Sequence, residues 1–172
     1  HAGDYLDNTE SLKDMHSYMS NDPFSEVYLS DVLICSRVNI TIPIRFYPAN
    51  IFKVSRLRFG IMPAHPAMII HRKIYALVGL YSIDYKIASD FDFIVRLFAL
   101  KNLRFTYVNK VFLRMIDGGI SDKLSNKLLL HNELKQICIN HNIRTNHFKL
   151  LFRFIVKLPG VRQKMHVIKS FF

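Results

Sequence analysis

Ile87-Ala88-Ser89-Asp90-Phe91-Asp92-Phe93 and the residues that follow it, to about Lys101, carry the clearest structural signal in the chain. Phe93, Ile94, Leu97 and Leu100 recur at helical spacing, which predicts a helix with one buried face. Asp92 and Arg96 stand four apart on the opposite face, the spacing of a helical ion pair. Asp90 stands where this helix starts. Its carboxylate can cap free backbone N–H groups. A carboxylate at a helix N-terminus is equally a stable, pre-oriented proton acceptor. The two roles are compatible in geometry, and the residues alone leave both open.

Outward from this helix, strands and helices interleave. Val27 to Ser36 is rich in β-formers and reads as a strand, and 38–42 alternates cleanly as a second. Phe46 to Arg58 reads as loop plus a short helix. Ala67 to Ile70 is a short strand, and a short helix then runs to Val78 with Gly79 as its stop. Phe105 to Val108 and Val111 to Arg114 are strand-like, and Ser121 or Asp122 starts a helix ending near Asn140. At the front, Asn8 or Thr9 caps a helix to about Met19, with Leu12, Met15 and Met19 on one side. Such a mixture predicts an α/β or α+β architecture.

The 172 residues amount to about one domain. Half are hydrophobic and 22% charged, which excludes a disordered or low-complexity chain. No apolar run approaches the roughly 18–20 residues of a spanning helix. Two distant cysteines, Cys35 and Cys138, fit a reducing compartment. The net charge of +11 is uneven: eight Lys and Arg follow Glu133, the last acidic residue. A basic tail on a near-neutral domain points to an anionic partner, membrane lipid or nucleic acid. The first residue is His1 and no signal peptide is visible; the opening reads as the middle of something, so a fragment is expected.

Two further places could carry chemistry. In Gly3-Asp4-Tyr5-Leu6, a carboxylate beside glycine is either simple turn chemistry or a ligand for a hard divalent cation whose other ligands are water and phosphate. In Met62-Pro63-Ala64-His65-Pro66-Ala67, a histidine between prolines is expected in an extended, restrained segment, where it could bond a substrate hydroxyl or phosphate. A lone histidine is more often structural. Nothing matches a HExxH zinc site, a G-x-S-x-G elbow, a Walker loop or a GxGxxG turn.

Taken in order, these pieces resemble the C-terminal half of a family 2 glycosyltransferase of the GT-A fold, from His1 to about Ser125. His1-Ala2-Gly3-Asp4-Tyr5-Leu6 sits where that family has its acidic metal-binding motif. Val27-Tyr28-Leu29-Ser30-Asp31-Val32 resembles the "VYGDV" strand, and Met62 to Ala67 the "MP-x-H-x-A" segment. His71 to Tyr81 is similar to "RRSLYEKVGGFD", and Ile87 to Phe93 with Arg96 to "AADYDLWLRL", the most specific element. Arg114 to Ser121, ending Gly118-Gly119-Ile120-Ser121, resembles the "R-x-GGIS" closing loop.

The resemblance implies an α/β GT-A domain over 1–125 with a mixed sheet flanked by helices, and a basic helical extension over 126–172. It implies transfer of a sugar from a nucleotide-sugar to a saccharide or lipid-linked acceptor by a single inverting displacement, in polysaccharide or lipopolysaccharide synthesis. Asp90 would be the general base. Asp4 would hold Mg²⁺ or Mn²⁺ on the diphosphate. His65 would line the acceptor or diphosphate side, Asp92 would orient its loop through Arg96, and Gly118, Gly119 and Ser121 would form a flexible lid over substrate. The chain departs from the pattern at His1 and Gly3, where the family commonly carries acidic residues, leaving Asp4 as the firm ligand. The family's donor-binding "SIITPVYN" and "DDGSTD" segments are absent, so the chain alone is expected to be inactive.

In the tail, Lys149, Arg153 and Lys157 form one narrow stripe and the rest of 148–158 a wide apolar face. The helix either packs on the domain with its cations solvated or lies on an anionic bilayer through 147–172. Phe148, Phe152 and Phe154 fall on the apolar side, so nucleic acid is not the expected partner. The expected location is cytoplasmic, peripheral on the inner face of the cytoplasmic membrane. A non-catalytic basic module that binds anionic membrane or nucleic acid, its acidic motifs serving as caps and turns, is the alternative.

Overall fold

The computed structural model describes residues 3–119 and 124–156, without the side chains of 124 and 154–156. A mixed sheet runs in the order β1 (Tyr5–Leu6), β5 (Phe105–Ile116), β2 (Val27–Cys35), β3 (Pro43–Tyr47), with β4 (Met68–Ile70) paired to the start of β2. β2 and β5 are parallel; every other pairing is antiparallel. Helices cover both faces, which is why the central strand β2 is buried at nearly every position. This is an α/β chain.

Alternation along β2 divides the core. Val27 and Leu29 face α2 (Arg72–Val78), α3 (Ser89–Phe98), α4 (Lys127–Asn140) and α5 (His147–Val156) in one large cluster with Phe91, Ile94, Leu97, Leu134, Ile137 and Leu150. Tyr28 faces the other way, into a smaller cluster with Val108, Phe112 and Met15 of α1 (Ser11–Asn21). Both cysteines are buried free thiols, and burial pushes Cys138 up to about 11. No described helix is long and apolar enough to cross a membrane.

Several expectations are corrected. The second strand is Pro43–Tyr47, not 38–42. Asn39 turns the chain instead: its side chain accepts from the Thr41 N–H at 2.9 Å and its carbonyl from the Ile42 N–H at 3.1 Å. The two strand pieces after residue 104 are one strand, β5, with a register shift where Asn109 and Lys110 are passed. Leu12 of α1 is exposed; Met15 and Tyr18, the latter edge-on to Phe112, make that helix's contacts. His65 lies in a short 3-10 turn, His65–Ala67, rather than an extended segment, because Pro66 suits a first helical turn and the Ala67 N–H closes on the Ala64 carbonyl. α4 begins at Lys127, after the 3-10 turn Leu124–Asn126, later than the start expected at 121 or 122, positions that fall outside the described residues.

The largest correction concerns α3. It begins at Ser89, with Ala88 in the cap position and no side chain of its own capping it. The carboxylate of Glu133 on α4 instead ties down the loop that leads into the helix, accepting the N–H groups of Lys86, Ile87 and Ala88 at 2.9, 3.0 and 2.9 Å. Asp90 accepts the neighbouring Phe91 N–H, at 2.7 Å, through one oxygen. Asp90 thus stands inside the first turn rather than at the cap position and accepts one N–H of that turn, while Glu133 holds the loop before the helix. Charge-assisted bonds of this kind are individually strong. Glu133→Ala is expected to cost about 3 kcal/mol of stability by urea unfolding, since three main-chain donors lose one acceptor group.

Candidate active site

The His65–Ala67 turn lies over the C-terminal half of the parallel pair β2–β5 and carries His65 to the start of α3, while β1 pairs along the same half of β5. β1 pairs with the end of β5, Tyr5 opposite Arg114, and this places Asp4 beside Ile116. Gly3 makes that approach possible: its φ of +93° is left-handed backbone that a side chain would resist. The Ile116 main chain bonds the Asp4 carboxyl. Burial nevertheless raises the Asp4 pKa, with the Ile116 bond and the nearby His65 acting against it.

His65 is the second contributor. Its turn is fixed to the sheet by Ser30, whose hydroxyl donates to the Ala67 carbonyl at 2.9 Å in a buried bond. His65 Nδ1 meets Asp90 Oδ2 at 3.2 Å, and the two side chains remain about a fifth and a quarter exposed. The carboxylate foreseen as a base thus stands at the surface, at the first turn of α3, with an imidazole on one oxygen. Asp4, His65 and Asp90, separated by dozens of residues in sequence, lie along one surface. Among the described residues no group of three or more His, Cys, Asp or Glu is gathered so as to hold a metal ion.

Two neighbours went unforeseen. Burial raises the pKa of the Tyr81 phenol, with Tyr75 and then the Asp90 charge adding to it, and its ring stacks on Phe93 at 4.6 Å. Arg37, just past β2, donates to the Asp117 carbonyl and to that of Gly118 at 3.0 Å. It thereby holds the start of the Gly118-Gly119 loop. Gly118 has φ of +87° and the Arg37 guanidinium 3.2 Å from where a Cβ would stand, while a Cβ on Gly119 would meet none of the described residues within 4 Å. Ser121 lies outside the described residues. Tyr81 ends the segment that resembles a family motif without taking a role from it, and Arg37 carries no sequence signal; the packing brings out both.

Asp92 occupies a different environment. It is 4% exposed and points away from His65, with Arg96 Nε on one oxygen at 2.9 Å and His141 Nε2 on the other at 3.0 Å. Arg96 continues to the Val78 and Leu80 carbonyls, so the pair fixes the loop after α2. A cleft of about 400 Å³ lies at the far end of α3, lined by Val54, Leu57, Arg58, Phe98, His141 and Arg144 among others, and not at Asp90. Asp92→Ala is expected to lower stability by about 3 kcal/mol in urea unfolding, because it leaves Arg96 and His141 without their shared carboxylate. No protein-family model matches the chain, and no curated protein matches it.

Proposed function

We propose that this chain carries the acceptor side of an inverting, nucleotide-sugar-dependent glycosyltransferase with a GT-A arrangement, and that Asp90 is its general base. The observation that carries this reading is the Asp90–His65 pair: a carboxylate at a helix mouth, partly open to solvent, with one oxygen on an imidazole. A base must reach the proton that it takes and be ionised when it does so. Asp90 lies in the first turn of α3, away from the helix's own carbonyl end. Asp4 lies close enough to His65 to feel its charge, and the glycine loop held by Arg37 follows the end of β5.

In this reading an acceptor hydroxyl docks against Asp90, with the Tyr81 ring as an apolar wall for a sugar face. The hydroxyl proton passes to the carboxylate as the oxygen bonds the anomeric carbon of the donor. The bond from that carbon to the diphosphate breaks on the opposite side, and the nucleoside diphosphate leaves with the electron pair. His65, bonded to Asp90, holds the carboxylate's orientation. Asp4 fits a divalent cation only as a single oxygen ligand, a mode suited to a hard ion that keeps water and phosphate oxygens in its shell. Mg²⁺ or Mn²⁺ bound there would offset charge on the leaving diphosphate.

The test is glycosyl transfer by the protein made from its complete reading frame. Asp90→Asn should lower kcat by at least about a hundredfold, the usual scale of a lost general base, with acceptor KM little changed. Turnover by the amide variant close to that of the parent would remove Asp90 from the chemistry.

A further inference from the structure

Two long stretches of the chain carry no carboxylate. Residues 32–83 hold seven Lys and Arg with no Asp or Glu, and residues 134–172 hold eight with none. The fold brings these stretches together where α5 packs on the 3-10 turn Val54–Phe59. The Phe152 and Phe59 rings are 5.7 Å apart, Leu150 is fully buried, and the Thr145 hydroxyl donates to the Arg58 carbonyl at 2.6 Å.

The orientation of α5 is the reverse of what solvated cations would produce. Arg153 points inward, 6% exposed, and burial pushes its guanidinium down to about 10. Phe148, Leu151 and Phe152 point outward, 83%, 49% and 46% exposed. At the helical step these three share one arc about 100° wide, an apolar stripe on the outside of the molecule. Cations border it. Arg58 and Arg144 are exposed on the rim of the 400 Å³ cleft, and Lys149 Nζ donates to the Arg144 carbonyl.

We propose that this face, α5 with the Val54–Phe59 turn, docks on an anionic lipid bilayer. Phe148, Leu151 and Phe152 enter below the headgroups, and Arg58, Arg144 and Lys149 lie at lipid phosphates. Charge selects this occupant over the others. A second copy would set two cationic faces against each other, and residues 157–172, with four more Lys and Arg and no carboxylate, complement the face no better. The proposal stands apart from glycosyl transfer, since none of its residues belongs to the Asp90 site.

Co-sedimentation of the full chain with phosphatidylcholine vesicles, with and without phosphatidylglycerol, tests it. Binding is expected only with phosphatidylglycerol. Phe148→Glu should weaken it about tenfold, the scale of one exposed phenylalanine lost from burial. Arg144→Glu should weaken it by a similar factor. Lys13→Glu, the same charge change on exposed α1, should leave it within about twofold. Leu151→Glu repeats the test independently should Phe148→Glu lose its far-ultraviolet circular dichroism. Failure to bind anionic vesicles, equal loss with Lys13→Glu, or full binding by correctly folded Phe148→Glu and Leu151→Glu would each overturn the proposal. So would a dimer in gel filtration that Phe148→Glu dissolves while vesicle binding is unaffected.

Discussion

Three consecutive N–H groups, those of Lys86, Ile87 and Ala88, point at the place where Glu133 reaches across from α4. They precede the first turn of α3, where no main-chain carbonyl of the helix can serve them. A carboxylate serves all three. Because Glu133 is itself nearly buried and α4 is anchored by Leu130, Leu134 and Ile137, the loop is tied to the core rather than to solvent. Everything said of Asp90 depends on this contact. The acid is two residues beyond Ala88, and its direction follows from how that loop is held.

Among the described carboxylates, three buried ones are fully engaged, whereas Asp90 keeps part of its surface open. Asp31, 3% exposed, accepts the Ala49 N–H at 2.7 Å and the Tyr107 hydroxyl at 2.6 Å. Asp92 is taken by Arg96 and His141, and Glu133 by the loop before α3. Buried charge is tolerated only with this degree of pairing. Asp90 differs in keeping a quarter of its side chain open and in having a titratable partner, His65. The framework carboxylates make the loops rigid, and rigidity is what an exposed acid needs if it is to meet a substrate in a fixed direction.

What could be read in the sequence was local. The β2 strand, α2 with its stop at Gly79, and α3 follow from periodicity and from glycine's tolerance of positive φ, which at Gly79 is 78°. The i,i+4 pair of Asp92 and Arg96 is equally local. What could not be read needed contacts between distant residues. Glu133 reaches the Ala88 N–H from 45 positions downstream, and His141 reaches Asp92 from 49. The alternation in 38–42 imitates a strand until Asn39 folds it into a turn. In α5 the spacing defines a cationic stripe and an apolar arc but not which of them faces the protein; the partner turn Val54–Phe59 decides that. Asp4, His65 and Asp90 were each visible, whereas their common surface is a product of β1 pairing with the end of β5.

The central claim is that the Asp90–His65 surface receives a saccharide hydroxyl. Nuclear magnetic resonance of the labelled chain, titrated with hexose disaccharides, measures it most directly. Saturable shifts at the Asp90 carboxyl and the His65 ring, spreading to Tyr81 and leaving Asp92 and His141 unmoved, are the predicted result. Disaccharides that leave Asp90 and His65 unperturbed, or that shift only residues at the far end of α3, would contradict the account.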